Sequence, residues 1–311
     1  MSADSYPIPP DRWYLPLVDH FLRIAASGWV PAGWFEKNLP AIEQRHANNG
    51  ELNIEIVSHC WNYAHFLIYQ LSSLVKFPPT AGTVTMTVYY CEEDQKTSAL
   101  LAYFSTLEIP RVRWNWQALP RQALFRRAIG RNHAALNSQA DWVWFTDCDL
   151  MFREGCLDGL IAQLQGRSDA LIYPKFERCT SLLSNEDPML SIDFKQLSVT
   201  DVDTTQFEEF KRTRATGPLQ ITHGDVARAC GYCAALSYYQ RPSATWCKAR
   251  EDRAFRWLLR TQGTPLAIPG VYRIRHVFKG RYTGSSLNTG LRSYLRRLSS
   301  WWQHKRNKRQ N

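Results

Sequence analysis

Between residues 52 and 173 the chain alternates short β-branched or aromatic runs with stretches of helical periodicity. That alternation restricts it to an α/β fold with a mixed, mostly parallel sheet flanked by helices. Strands are expected at 52–57 (LNIEIV), 83–90 (TVTMTVYY), 112–116, 142–146 (WVWFT) and 170–173. Helices are expected at 64–75, 124–136 and 156–164, and later at 253–261. In such sheets ligands bind beyond the carboxyl ends of the strands. Three of these ends carry polar clusters: Ser58-His59-Cys60-Trp61-Asn62, Glu92-Glu93-Asp94 and Asp147-Cys148-Asp149.

Charge divides the chain unevenly. Of 38 Lys and Arg, 14 lie after residue 252, where there is no Asp or Glu; the first 252 residues carry 24 basic against all 28 acidic residues. A mildly acidic body with a basic end implies an anionic partner for that end. With 44% hydrophobic and 21% charged residues, the 311-residue chain is expected to be globular rather than disordered or fibrous. It has no run of about 18 apolar residues. Its first residues lack a basic start followed by an apolar core, so no secretory signal is expected. The eight cysteines are scattered through apolar runs, and buried reduced thiols are the expectation. Cys230-x-x-Cys233 with Cys247 has zinc-like spacing but no evident fourth ligand. Residues 1–50, rich in Pro and Trp with an amphipathic stretch near 15–26, read as an extension wrapping the body. The polar segment 184–217 reads as a solvated loop, with a lid as the alternative.

Three features point to chemistry. In Asp147-Cys148-Asp149, two carboxylates flank one small residue at the end of an apolar strand. Unpaired they would repel, whereas a hard divalent cation would hold them together; a solvated turn is the plainer reading. Glu251-Asp252 opens a helical pattern, where the helix dipole suffices to favour acids and a general base is the functional alternative. His276 lies in VYRIRHV, whose alternation puts Tyr272, Ile274 and His276 on one face and Arg273 and Arg275 on the other; a structural role is the plainer reading of a lone histidine.

Taken in order, these pieces resemble the GT-A glycosyltransferases, at the family-2 and galactosyltransferase-like end, over roughly residues 52–280. FRRAIGRNHAAL resembles two segments of related families, Arg127 fitting one and Arg131-Asn132 the other. FTDCD resembles the DxD metal motif, CGYCA the glycine segment before the acceptor site, TWCKARED the tryptophan-then-Glu-Asp acceptor motif, and RIRH the C-terminal metal-binding histidine segment. Arg273 stands where galactosyltransferases place a metal-binding methionine. The resemblance implies an extension (1–50), a GT-A catalytic domain (51–285) and a basic tail (286–311). It implies a nucleotide-diphosphate-sugar donor held near Ser58, Asn62, Glu93, Asp94, Arg127, Arg131, Asn132 and Asp147. It implies Mn²⁺ or Mg²⁺ near Asp147, Asp149 and His276. Asp252 would be the base, Glu251 would position it or the acceptor, and the reaction would invert. Trp246 and Trp257 could stack on sugars, or pack in the core.

Two other classes stay open: a nucleotidyltransferase acting on sugar phosphates, and a non-catalytic membrane or nucleic-acid adaptor. The first would ordinarily show a glycine-rich phosphate loop after the first strand, which SHCWNYAHF lacks; the second leaves the acidic pairs unexplained. In the tail, Leu291, Tyr294, Leu295, Leu298, Trp301 and Trp302 fall on one helical stripe with seven Lys or Arg and no acid around it. That pattern reads as an interfacial helix contacting an anionic membrane, or as a helix docked on the body. Nucleic acid would leave the stripe unused. A glycan, lipid-linked or protein acceptor is expected, with a cytoplasmic location, peripheral at the inner face of a membrane.

Overall fold

The computed structural model describes residues 12–184, 186–247 and 250–276. Its helices are α1 (Leu15–Ile24), α2 (Ala64–Lys76), α3 (Gln95–Ser105), α4 (Arg121–Leu124), α5 (Arg127–Asn137), α6 (Cys156–Leu164), α7 (Gly224–Cys230) and α8 (Glu251–Leu258). Its strands are β1 (Asn53–His59), β2 (Thr83–Tyr90), β3 (Val112–Ala118), β4 (Trp142–Phe145), β5 (Leu150–Phe152), β6 (Leu171–Pro174), β7 (Phe176–Leu183), β8 (Glu208–Lys211), β9 (Gln220–His223), β10 (Thr264–Leu266) and β11 (Val271–His276).

A seven-stranded sheet, ordered β10-β6-β9-β4-β1-β2-β3, forms the centre. β4, β1, β2 and β3 run parallel, as do β10 and β6; only β9 runs against its neighbours β4 and β6. The alternation read from the sequence thus yields a mostly parallel sheet flanked by helices. A second sheet, ordered β5-β11-β7-β8, continues from the end of β4 through the 147–149 turn. Its β8 lies in the stretch expected to be a loop. The rest of that stretch is tied to the body: Tyr69 donates to the Met189 carbonyl (2.8 Å), Thr200 N–H to Ser72 Oγ (2.9 Å), and Lys76 pairs with Asp201 (2.6 Å).

Strands β1 and β4 are buried on both faces, as parallel central strands must be. The expected helix over 124–136 divides at Arg126, whose non-helical backbone separates α4 from α5. Helix α5 then lies so close to β1 and β2 that Gly130 has no room for a side chain. A Cβ there would stand 2.3 Å from His59 Nε2 and 2.9 Å from Tyr89 Cγ. His59 and Tyr89 stack at 5.0 Å, and the Tyr89 hydroxyl bonds His133 Nδ1 at 2.8 Å, so neither ring moves alone.

Residues 12–50 are fastened to the rest of the chain by carbonyl contacts. Trp257 Nε1 donates to Val30 O (2.8 Å), Arg260 to Glu36 O (2.9 Å), and Arg45 to Ser168 O (2.8 Å). Trp257 is therefore a core residue, packed 5.3 Å from Phe35. None of the eight cysteines is paired in a disulfide. Burial pushes the Cys230 thiol up to about 12, and Glu36 adds to the shift; Cys233 is raised likewise, burial first and Glu251 next. Raised thiols disfavour the thiolate that zinc needs. Among the described residues no three His, Cys, Asp or Glu side chains gather to hold a metal, and no helix is long and apolar enough to cross a membrane. The tail stripe at 291–302 lies outside the described residues.

Two outcomes follow. Gly130→Ala is expected to destabilise by about 1–3 kcal/mol, read by chemical denaturation; unchanged stability would mean the two rings yield freely. Burial, followed by the nearby His276 and Lys96, lowers His65 to about 4, and burial lowers His223 as well. Below the ordinary histidine value of about 6.5 the unfolded chain takes up protons that the fold does not. Stability is therefore expected to fall as pH drops from about 6.5 towards 4, and His65→Gln should flatten that slope; an identical slope in the variant would remove His65 as its source.

Candidate active site

Asp147 leaves the end of β4, where a bare carboxylate would be costly to bury. Helix α5 supplies the neutralising charge. Arg127 and Arg131, one turn apart, both reach Asp147 Oδ1: Arg127 through Nη1, and Arg131 through Nη2 at 3.3 Å. Arg131 is fully buried, and its other bonds go to the Thr146 carbonyl (3.0 Å) and the Tyr232 hydroxyl (2.9 Å). Burial alone would lower the Arg127 pKa; Asp147 and then Glu251 outweigh it and hold the guanidinium charged.

The same arginine joins the second acidic motif to the first. Arg127 Nε lies 3.6 Å from Glu251 Oε1, so residues over a hundred positions apart meet at one charge centre. Neither Glu251 oxygen has a hydrogen bond among the described residues, and the side chain is 1% exposed. Asp252, the next residue round the helix, points elsewhere: its side chain is 32% exposed and lies 3.4 Å from Arg256.

Tyr232 and Gln220, which the sequence reading passed over as functional residues, complete the scaffold. Tyr232 donates to Gln220 Oε1 (2.8 Å), and Gln220 Nε2 donates to the Asp252 carbonyl (3.0 Å). Burial raises the Tyr232 pKa well above the ordinary value, which keeps the hydroxyl protonated. Asn132 Oδ1 accepts the Tyr232 N–H at 2.9 Å. The only advance signal was that CGYCA resembled a known segment; no spacing rule marks the tyrosine.

The donor-side expectations divide. Asp94 joins the ends of β1 and β2, accepting from Asn62 N–H (2.6 Å), Thr97 N–H (3.2 Å) and Thr97 Oγ1 (2.6 Å). It is the cap of α3, a role that leaves its carboxylate little for a ligand. Asn62 takes a left-handed backbone there and stays exposed. Glu93 is at the surface, 3.0 Å from Arg121. Ser58 is wholly buried, and its hydroxyl has no hydrogen bond among the described residues. Asn132 bonds Tyr232, and Arg127 and Arg131 bond Asp147. Trp246 is half-buried 5.7 Å from Phe125, which in turn meets Trp61 at 5.3 Å.

The metal-ligand expectation also divides. The Asp149 carbonyl accepts from Ile274 N–H at 3.0 Å, extending the β5–β11 pair to this residue. His276 stands two residues further along β11, its ring 5.7 Å from Phe66. A carboxylate and an imidazole on adjoining segments are a donor set suited to Mn²⁺ or Mg²⁺. The third expected ligand, Asp147, has its Oδ1 paired with the two guanidinium groups. Arg273 turns to the other face and bonds the buried Glu177 at 2.8 Å.

Arg131→Ala is expected to destabilise by about 3–5 kcal/mol, because it strips a buried carboxylate of a partner and leaves a void. Urea unfolding measures it; a loss under about 1 kcal/mol would mean Arg127 alone suffices for Asp147.

No family model matches this chain, and no curated protein matches it. Among solved structures it is similar to S. aureus TarS 1–349 (TM-score 0.40, 14% identity), covering 73% of this chain and 61% of that one. It is similar to TarS 1–349 in complex with UDP-GlcNAc (TM-score 0.43, 13% identity; 76% and 62% covered). It is also similar to the mannosyltransferase PcManGT from Pyrobaculum calidifontis in complex with GDP-Man and Mn²⁺ (TM-score 0.44, 14% identity; 85% and 69% covered). The chain thus spans about three fifths of the TarS 1–349 fragment, and likeness at this level assigns it no activity.

Proposed function

We propose that the chain is a glycosyltransferase of GT-A type, moving a sugar from a nucleotide-diphosphate donor to an acceptor hydroxyl with inversion. The observation that carries this reading is the Asp147–Arg127–Glu251 charge centre. It sets the strand-end acidic turn beside the N-terminus of α8, where a donor-side and an acceptor-side carboxylate would both be needed.

Asp252 is the base, because it is the accessible member of its pair. Its carboxylate takes the acceptor's hydroxyl proton while that oxygen bonds to the anomeric carbon; the bond from that carbon to the diphosphate breaks, and the nucleoside diphosphate leaves. Glu251, buried against Arg127, is a positioning residue. Gln220 and Tyr232 hold the first turn of α8 through the Asp252 carbonyl, so the base cannot drift without breaking that chain of bonds. Asp149 and His276 would hold a divalent cation, which when bound supplies charge neutralisation to the departing diphosphate. The basic tail at 290–311 is proposed to contact an anionic membrane.

The test begins with a thermal-shift screen of nucleotide sugars with and without Mn²⁺. With the donor it identifies, Asp252→Asn is expected to keep the midpoint shift while turnover falls roughly 10²- to 10⁴-fold. Loss of donor affinity with turnover per bound donor unchanged would move the base to another residue. A preference for nucleoside triphosphates would favour nucleotidyl transfer instead.

A further inference from the structure

Helix α1 is apolar on two faces, and the body covers only one. Leu22, and Ala25 just past the helix end, are buried and Val18 packs on the core, whereas Leu17, Phe21 and Ile24 form an outward stripe at i, i+4 and i+7, with Leu17 62% exposed. Trp13 precedes the stripe by one turn and is 83% exposed. At the other end Gly28, at φ +96°, turns the chain so that Trp29 (82%) and then Trp34 (71%) also face outward. Single exposed apolar residues are ordinary; a continuous stripe flanked by three tryptophans is a surface that has a partner.

Charge indicates which partner. From residue 12 to 40 the exposed ionisable groups are Arg12, His20, Arg23 and Lys37. The two acids in that stretch turn away: Asp19 accepts from the Tyr238 hydroxyl (3.3 Å), and Glu36 is buried. Arg253 of α8 adds a cation at the end of α1, its Nε bonding the Ala26 carbonyl at 3.2 Å. An aliphatic and phenyl centre, tryptophans at the margin and cations without exposed acids together match an anionic lipid surface, with its apolar interior, amphipathic interface and negative headgroups.

We infer that the α1 face, from Trp13 to Trp34, docks on an anionic lipid bilayer. The inference does not depend on the tail, and it stands apart from the chemistry proposed for the site. One consequence does rest on the transfer reading. Arg253, which bonds the end of α1, directly follows Asp252, so docking by this face would bring the candidate base towards an acceptor carried in the lipid surface.

The experiment compares the full chain with its Leu17→Gln/Phe21→Gln/Ile24→Gln variant in co-sedimentation with phosphatidylcholine vesicles containing 0 or about 30% phosphatidylglycerol, a content chosen to give a strong negative surface. Circular dichroism, melting temperature and light-scattering mass are recorded for both. Wild type is expected to bind the anionic vesicles, and the variant to bind at least about tenfold more weakly with its fold intact, a loss of about 1.4 kcal/mol or more. Equal vesicle binding by the two proteins overturns the inference. Should the variant instead lose self-association while binding vesicles normally, the face belongs to a second copy. A lower melting temperature with unchanged vesicle binding would assign it to this chain's own remaining residues. None of these readouts requires turnover, so they stand or fall separately from the transfer reading.

Discussion

A carboxylate at the closed end of a buried strand has to be neutralised where it stands, and Asp147 is neutralised by two arginines of a single helix. This requirement orders the surrounding elements. Helix α5 must lie close against β1 and β2 to bring Arg127 and Arg131 to the same oxygen. To lie that close it needs Gly130 against His59 and Tyr89. The ion pairs are not a large net source of stability, because desolvating two charges offsets most of their attraction. Their effect is on placement: any packing that separates α5 from the strand end leaves a charge buried alone.

The second acidic pair is placed by the same charge. Two adjacent residues on a helix point about 100° apart, so α8 can turn only one of its opening carboxylates towards Arg127. Glu251 takes that side and is sealed; Asp252 keeps contact with solvent. The helix dipole favours acids at either position, but it does not distinguish them. The distinction comes from Arg127, beside which one carboxylate is buried while the other stays in contact with solvent.

A different economy operates at the ends of β1 and β2. Asp94 satisfies the first turn of α3 and the Asn62 backbone together, so one carboxylate shapes the loop after each strand. Of the expected donor contacts at this end, Asp94 and Ser58 are buried, while Asn62 and Glu93 are exposed. On the far side of α8 the N-terminal layer is fastened mainly through its own carbonyls, at Ala26, Val30 and Glu36, to Arg253, Trp257 and Arg260. That leaves side chains such as Leu17, Phe21, Trp29 and Trp34 to face outward.

Much of the frame was legible in the residues alone. The runs LNIEIV, TVTMTVYY and WVWFT are long and β-branched or aromatic, so local preference and burial agree on strands, and the alternation with helices dictates parallel pairing. β5, β9 and β10 escaped notice because three or four residues are too few to show a period of two. Helix α3 escaped because its sequence, QKTSALLAYFS, has a weak apolar face. The strand-end position of Asp147, and the pairing of Arg127 with Arg131 on one helical face, were likewise set by spacing. Which charge each group meets was not. That Asp147 binds arginines, that Glu251 is buried while Asp252 is open, and that Tyr232 and Gln220 support both are outcomes of long-range packing. Charge pairing acts over a few ångströms in space, and no local pattern records which distant segment will arrive there.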